Sequence, residues 1–439
     1  MLEKKKNNIM ILKRITIVFA MLFLPVGPAL WGQEITMQVD QLPASGAIVR
    51  DAGSYGWMVC SMTADGVAFA LVDVGATQAG VYHLRGVDTV MDMEVEGEKV
   101  YFCGRTSSTP ARAVMGYFPL AGFPNISIKG CTTNDSLFSR IEVFRRVGGP
   151  TQDTHVVMIG VEPGGTTKLI DAIRVGNTWL FHKAYDTTGG SFRDIAQTQT
   201  KVIAISGKVG VSPVTEGKVW TFSKPVSWTS NLFTATATVR SLPELFAIPV
   251  GVCAMGTSDF VVVSTGVANT YLTKYSDWGY PSSIVIPNSV LSGFTAREVR
   301  RCPSSDEIGV LARTTYPGAY SLYHVGSSDF TSSGTLHGHK TSPAMTSLSV
   351  DGYGTNTFVL AGKAGAQNTL SLFRCSSPTY GSCSQEVTKQ YTVTQFVPTT
   401  KDPVLNITHG MILSSDIGGS PKTYFTSVQC SDDNKEPLK

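Results

Sequence analysis

The stretch Met91-Asp92-Met93-Glu94-Val95-Glu96-Gly97-Glu98-Lys99-Val100-Tyr101-Phe102-Cys103-Gly104-Arg105 reads as two short strands with a tight turn between them. Apolar and β-branched residues fill 91–95 and 100–105, and Glu96-Gly97 supplies the hairpin. Runs of the same kind follow at 113–118 and 126–129, so this segment predicts four strands. The segment before it repeats the pattern at 47–50, 57–62, 67–74 and 81–85. Second-strand runs then open at Trp57, Val100, Val156, Val202, Phe260, Ile308, Phe358 and Met411, at intervals of 43 to 58 residues. No window carries helical periodicity. A period of this size with four strands per unit predicts an all-β chain built as a β-propeller of four-stranded antiparallel blades.

Eight blades are expected, with seven as the alternative. The last unit offers only 404–408, 411–415 and 423–428, and residues 35–39 are expected to supply its missing strand, closing the ring and hiding its edge. Two β-sandwiches are the competing architecture, and the even spacing along the whole chain weighs against them.

Residues 1–32 read as a secretory signal peptide, with Lys4, Lys5, Lys6, Lys13 and Arg14 ahead of an apolar run from 15 to 26. A retained anchor is the alternative, although the run is shorter than the roughly 20 residues a bilayer crossing needs. The expected organisation is therefore a signal peptide, a single propeller over 33–430 and a polar tail over 431–439. Export to the periplasm, cell surface or extracellular space follows, with no transmembrane segment in the mature chain and a monomer as the expected state. A net charge of +3, with no dense Lys/Arg cluster after the signal, weighs against nucleic acid as a partner.

The segments Met91-Asp92-Met93-Glu94, Val100-Tyr101-Phe102-Cys103-Gly104 and Gly116-Tyr117-Phe118 carry a resemblance to exported bacterial β-propeller proteins of uncharacterised function from Gram-negative bacteria. It extends over 33–430 and implies a fold and an export route, since propellers host many unrelated activities. Blade-closing Trp-Asp pairs and kelch double glycines are absent. Ser414-Ser415-Asp416-Ile417-Gly418-Gly419-Ser420 approaches a sialidase Asp box but lacks its terminal aromatic residue.

Eight cysteines in an exported chain permit disulfides. Cys375 and Cys383 flank the turn-forming Pro378-Thr379-Tyr380-Gly381 and are the expected pair. Cys60 and Cys103 hold equivalent places in neighbouring blades and are expected to be separate buried thiols, whereas Cys253 and Cys302 could approach near the inner strands. No Cys-x-x-Cys is present, and His337-Gly338-His339 alone has a chelating spacing, which a solvated loop explains better than a metal site. No metal and no cofactor is expected.

No nucleophile elbow and no phosphate-binding loop occurs. Carboxylates for glycoside hydrolysis would have to converge from Asp135, Asp186, Asp416 or Glu162 on different loops. The end of the ring where second strands meet third strands, here the upper face, is expected to gather Arg105, Arg140, Arg193, Arg297, Arg313 and Lys363. The opposite, lower end is expected to gather Glu96, Glu98, Asp153, Asp259, Asp306 and Glu307. An anionic ligand at the upper mouth would suit that polarity. The rings of Tyr275, Trp278, Tyr280 and Tyr316 offer flat surfaces for sugar or peptide. Expected ligand-binding residues are thus Arg105, Arg193, Arg313, Tyr316, Trp278 and Tyr280, with no catalytic residue identified. A binding protein for a glycan or protein ligand is the first expectation, a polysaccharide hydrolase or lyase the second, and a cell-envelope scaffold the third.

Overall fold

In the computed structural model of the chain, strand backbones are described from Glu34 to Val428 and side-chain surroundings mainly between Ile48 and Ser283. Residues 1–33 and 429–439, with many loops, lie outside the described residues.

Among the described residues, seven four-stranded antiparallel sheets succeed one another, each with its strands in sequence order. The first blade comprises Ser45–Asp51, Trp57–Thr63, Gly66–Val72 and Gln78–Leu84, and the second Val87–Glu96, Lys99–Thr106, Ala113–Pro119 and Lys129–Thr132. The third comprises Leu137–Arg145, Thr154–Val161, Thr167–Val175 and Thr178–Tyr185, and the fourth Ser191–Gln197, Lys201–Val209, Thr215–Ser223 and Thr238–Ser241. Ile248–Met255, Thr295–Arg301 and Thr346–Tyr353 open the next three. The first strand of each sheet lies against the first strand of the next. This is a β-propeller, with the first strands innermost.

At the ends of the chain, Glu34–Val39 pairs antiparallel with Thr423–Val428, Glu34 standing opposite Val428. Val404–Ile407 pairs with Met411–Ser414 and borders both Thr346–Tyr353 and Ser45–Asp51.

Alternation along each strand explains why the sheets stack. Val100 and Phe102 point toward the first blade, where they join Met58, Phe69, Met93 and Phe118 in one buried cluster. Tyr101 and Cys103 point the other way, into a cluster with Phe138, Val156 and Ile170 of the third blade. Two further clusters fill the spaces between the third and fourth blades and between the fourth and fifth. Burying each large side chain contributes about 1.5–3 kcal/mol, against at most about 1 kcal/mol for an exposed ion pair, so apolar stacking holds the blades together.

One expected strand is displaced. The outer strand of the second blade is Lys129–Thr132, not residues 126–129. Ile126 and Ile128 instead pack against the cluster between the first two blades, so their apolar character serves packing outside the sheet.

The inner strands share a β-bulge, with register shifts at Val90/Asp92, Phe138/Arg140, Phe192/Asp194, Pro249/Gly251 and Ala296/Glu298. Asp92, Arg140 and Asp194 therefore occupy the same place in consecutive blades.

Candidate functional site

A cleft of about 600 Å³ opens on the upper face where the second and third blades meet. One wall is the connection into the third blade, Thr132-Thr133-Asn134-Asp135, and the other is the turn Glu162-Pro163-Gly164, with Phe181 and Lys183 alongside. Both walls are fixed by their own hydrogen bonds. The backbone amide of Ala113 donates to the Asp135 carbonyl at 2.6 Å, and that of Thr133 donates to the Ala113 carbonyl at 3.0 Å. Thr133 Oγ1 donates to Asp135 Oδ2 at 2.8 Å. Across the cleft, the Glu162 amide donates to the Thr166 carbonyl and the Gly165 amide to the Glu162 carbonyl, both at 2.8 Å, which closes the turn.

Lys168 joins the two walls. Its side chain is 2% exposed, and Nζ lies 2.5 Å from Asp135 Oδ1 and 2.8 Å from Glu162 Oε1. Burial alone would lower the pKa of this amine, but its bonds to Asp135 and Glu162 outweigh burial and raise it. The Tyr185 hydroxyl also donates to Glu162 Oε1, at 2.8 Å. Hydrogen bonds from Lys168 first, and then Tyr185, hold the Glu162 carboxyl below its ordinary value. Among the described residues of the sequence set, Asp135 and Glu162 are thus the two carboxylates that come together. Asp186 lies elsewhere, accepting from Ser206 Oγ at 2.7 Å while Trp220 Nε1 donates to that Oγ at 2.9 Å.

A second group of acids sits on the inner strands. Arg50 reaches Asp92 at 2.6 Å and Glu94 at 4.0 Å. Arg140 reaches Asp194 at 3.3 Å, and Gln197 donates to Glu142 at 2.9 Å. Burial raises Glu94 to about 7, Arg50 opposing the rise while Asp92 and Glu96 add to it. Glu142 is raised well above the usual carboxylate range by burial and then by Glu94 and Asp92. Sequence reading missed these residues because their two-residue spacing looks like the exposed face of an ordinary strand. The bulge and the convergence of inner strands bring them together.

Of the expected binding residues, Arg105 is exposed and already paired with Asp88 at 2.6 Å. Arg193 is exposed at the bulge of its inner strand, away from the cleft lining. Arg313 ends the strand Ile308–Arg313, its side chain outside the described residues, as are Tyr316, Trp278, Tyr280 and Asp416. Tyr275 is not part of an exposed aromatic loop: it is 1% exposed, its ring stacked on Phe260 at 5.0 Å.

Of the residues expected to sort by charge between the two faces, the side chains of Arg297, Arg313, Lys363, Asp153, Asp306 and Glu307 lie outside the described residues, and several of the others are paired with opposite charges. Arg105 and Arg140 at the upper end meet Asp88 and Asp194, and at the lower end Arg145 and Lys274 meet Glu96 and Asp259. Among the described residues, no three His, Cys, Asp or Glu converge as a metal-ligand set. Strand register sets Cys375 directly opposite Cys383, and Cys60 and Cys103 are separate buried thiols.

No protein family and no curated protein matches the chain. Solved structures of similar shape include the β-propeller domain of the Trilobed protease from Pyrococcus furiosus, at 9% identity and TM-score 0.46, covering 79% of this chain and 96% of that one. Oligopeptidase B from Leishmania major aligns at 11% identity and TM-score 0.48, over 88% of this chain and 60% of that one. NanB sialidase from Streptococcus pneumoniae aligns at 10% identity and TM-score 0.38, over 90% and 94%. The chain spans about half, 52%, of the acylaminoacyl peptidases it also resembles. At these identities the likeness speaks to the propeller fold and to no activity.

Proposed function

We propose that the chain is an exported binding protein, an eight-bladed propeller closed by its N-terminal strand, that takes a glycan in the upper cleft between its second and third blades. The observation that carries this reading is the position of Lys168 between Asp135 and Glu162. Glycoside hydrolysis needs one carboxyl group held protonated, whereas Lys168 and Tyr185 hold Glu162 in its charged form. What the cleft offers instead is a rigid set of donors and acceptors. Thr132, Thr133, Asn134 and Lys183 can meet hydroxyl groups, and Phe181 presents an apolar surface beside them. With Lys168 and Lys183 balancing Asp135 and Glu162, the lining favours an uncharged saccharide.

A second reading, a polysaccharide hydrolase or lyase, draws on Glu94 and Glu142, whose raised pKa values suit an acid catalyst. A glycan array with the full chain as exported, followed by product analysis of every bound polymer, separates the two. Saturable binding of neutral glycans that Asn134→Ala weakens, without cleavage, supports the binding reading. Cleavage abolished by Glu142→Gln would establish the hydrolase, and an array without binding would reject the glycan reading.

A further inference from the structure

The lower end of the same two blades carries a cluster of cations that neither reading uses. Lys99 begins the second strand of its blade and Lys129 the fourth, while Arg145 ends the inner strand of the next blade and Arg174 lies near the end of that blade's third strand. By the up-and-down order of the strands, all four stand at the lower end.

They gather around aromatic rings that bridge the blades. Tyr117 stacks on Tyr101 at 5.6 Å and meets Trp179 edge-on at 5.8 Å. Lys99 Nζ lies 6.0 Å from the centre of the Tyr117 ring, and Arg174 Cζ lies 5.6 Å from it. Arg145 Nη2 donates to the Glu96 carbonyl at 2.8 Å. The guanidinium rests over Gly97, where an added Cβ would come within 2.8 Å of Nη1. Its buried Nε has no hydrogen-bond partner among the described residues, the Glu96 carboxylate standing 3.6 Å away.

Glu96 faces Arg145 and Glu98 is exposed in the adjoining turn, but Lys99 and Lys129 have no ion-pair partner among the described residues. The Lys99 amine is lowered, first by burial and then by the charges of Arg145, Arg174 and Lys129, as expected of like charges held close.

We propose that Lys99, Lys129, Arg145 and Arg174 form a second binding site, which takes the carboxylate or sulfate group of an acidic polysaccharide. Two cations over one ring, with Arg145 and Lys129 close enough to act on Lys99, suit a compact anionic group, whereas a nucleic-acid backbone needs an extended basic track that a chain of net charge +3 lacks. Half-buried Trp179 adds a flat surface beside the charges, against which a sugar ring can lie.

Amine acylation of the full chain, mapped by peptide mass spectrometry, tests this without any variant. The probes are polygalacturonate for carboxylate, dextran sulfate for sulfate, uncharged dextran, and a single-stranded oligonucleotide. Lys99 and Lys129 are expected to be shielded by one or both acidic polysaccharides and not by dextran. Lys183 in the upper cleft is the internal reference, so failure at one face is distinguishable from failure at the other. Lys99→Gln combined with Lys129→Gln is expected to weaken binding of the shielding polymer about ten-fold. Equal labelling with and without the acidic polymers, shielding by uncharged dextran, or shielding by the oligonucleotide alone would overturn the proposal.

Discussion

The Asp92 carboxylate accepts the backbone amide of Ile141, the next blade's inner strand, at 3.2 Å. Asp194 does the same two blades further on, accepting from Val252 at 3.1 Å. Each of these acids is also met by an arginine from the blade before it, Arg50 and Arg140 respectively. The bulge accompanies this arrangement: it leaves Met91 and Arg193 out of the ladder and bends the strand just before Asp92 and Asp194.

Asp92→Ala and Asp194→Ala are each expected to lower the free energy of unfolding by about 1–3 kcal/mol, because a blade-to-blade amide loses its acceptor. Arg50→Ala should cost less, about 1 kcal/mol or under, since Arg50 is 37% exposed. Urea denaturation of the three variants checks the order, and a costlier Arg50 change would contradict it.

Lys168→Met is expected to destabilise the chain by about 3 kcal/mol, because it leaves Asp135 buried beside Glu162 with no cation between them. Adding Asp135→Asn to that variant should restore part of the loss. Thermal unfolding of the single and double variants is the check, and an additive double variant would show that the two residues are not coupled.

The inner-strand acids give stability a definite pH dependence. Glu94 rises from an ordinary 4.5 to about 7 on folding, so between those values the folded chain holds the proton more tightly than the unfolded chain does. Its contribution is therefore full below about 4.5 and is lost as pH rises through about 7, with Glu142 acting in the same sense. Glu94→Gln should flatten the fall in stability between pH 5 and pH 8, estimated as the window of these shifts. Urea midpoints measured across that range would reveal it, and identical slopes for variant and parent would refute it.

The register that sets Cys375 opposite Cys383 leads to the expectation that the chain carries this disulfide when folded under oxidising conditions. Cys60 and Cys103 are buried, and burial pushes both thiols well above their ordinary values. Alkylation of the native chain should therefore spare all four residues. Alkylation after unfolding without reductant should modify Cys60 and Cys103 but not Cys375 or Cys383. Modification of the latter pair under those conditions would exclude the bridge.

Much of the blade architecture is legible from residue order alone. A strand such as Lys99–Thr106 is apolar on both faces, and only an element packed between two others needs that. Its recurrence at intervals of 43 to 58 residues gives the repeat, and the short C-terminal set points to pairing with Glu34–Val39. The strand Lys129–Thr132 was misplaced because Ile126 and Ile128 are as apolar as a strand while serving a different contact.

The sites belong to the tertiary structure. Lys168 lies 33 positions after Asp135 in the chain, and their contact depends on the connection into the third blade lying beside the start of that blade's third strand. The lower cations are drawn from four strands of two blades, and no local pattern links Lys99 to Arg174. Sequence by itself determined which residues are apolar, how often they recur and hence how the chain is divided into blades, because burial follows from local alternation. Only the packed sheets decided which charges meet, since that depends on bulges, strand ends and the joining of neighbouring blades.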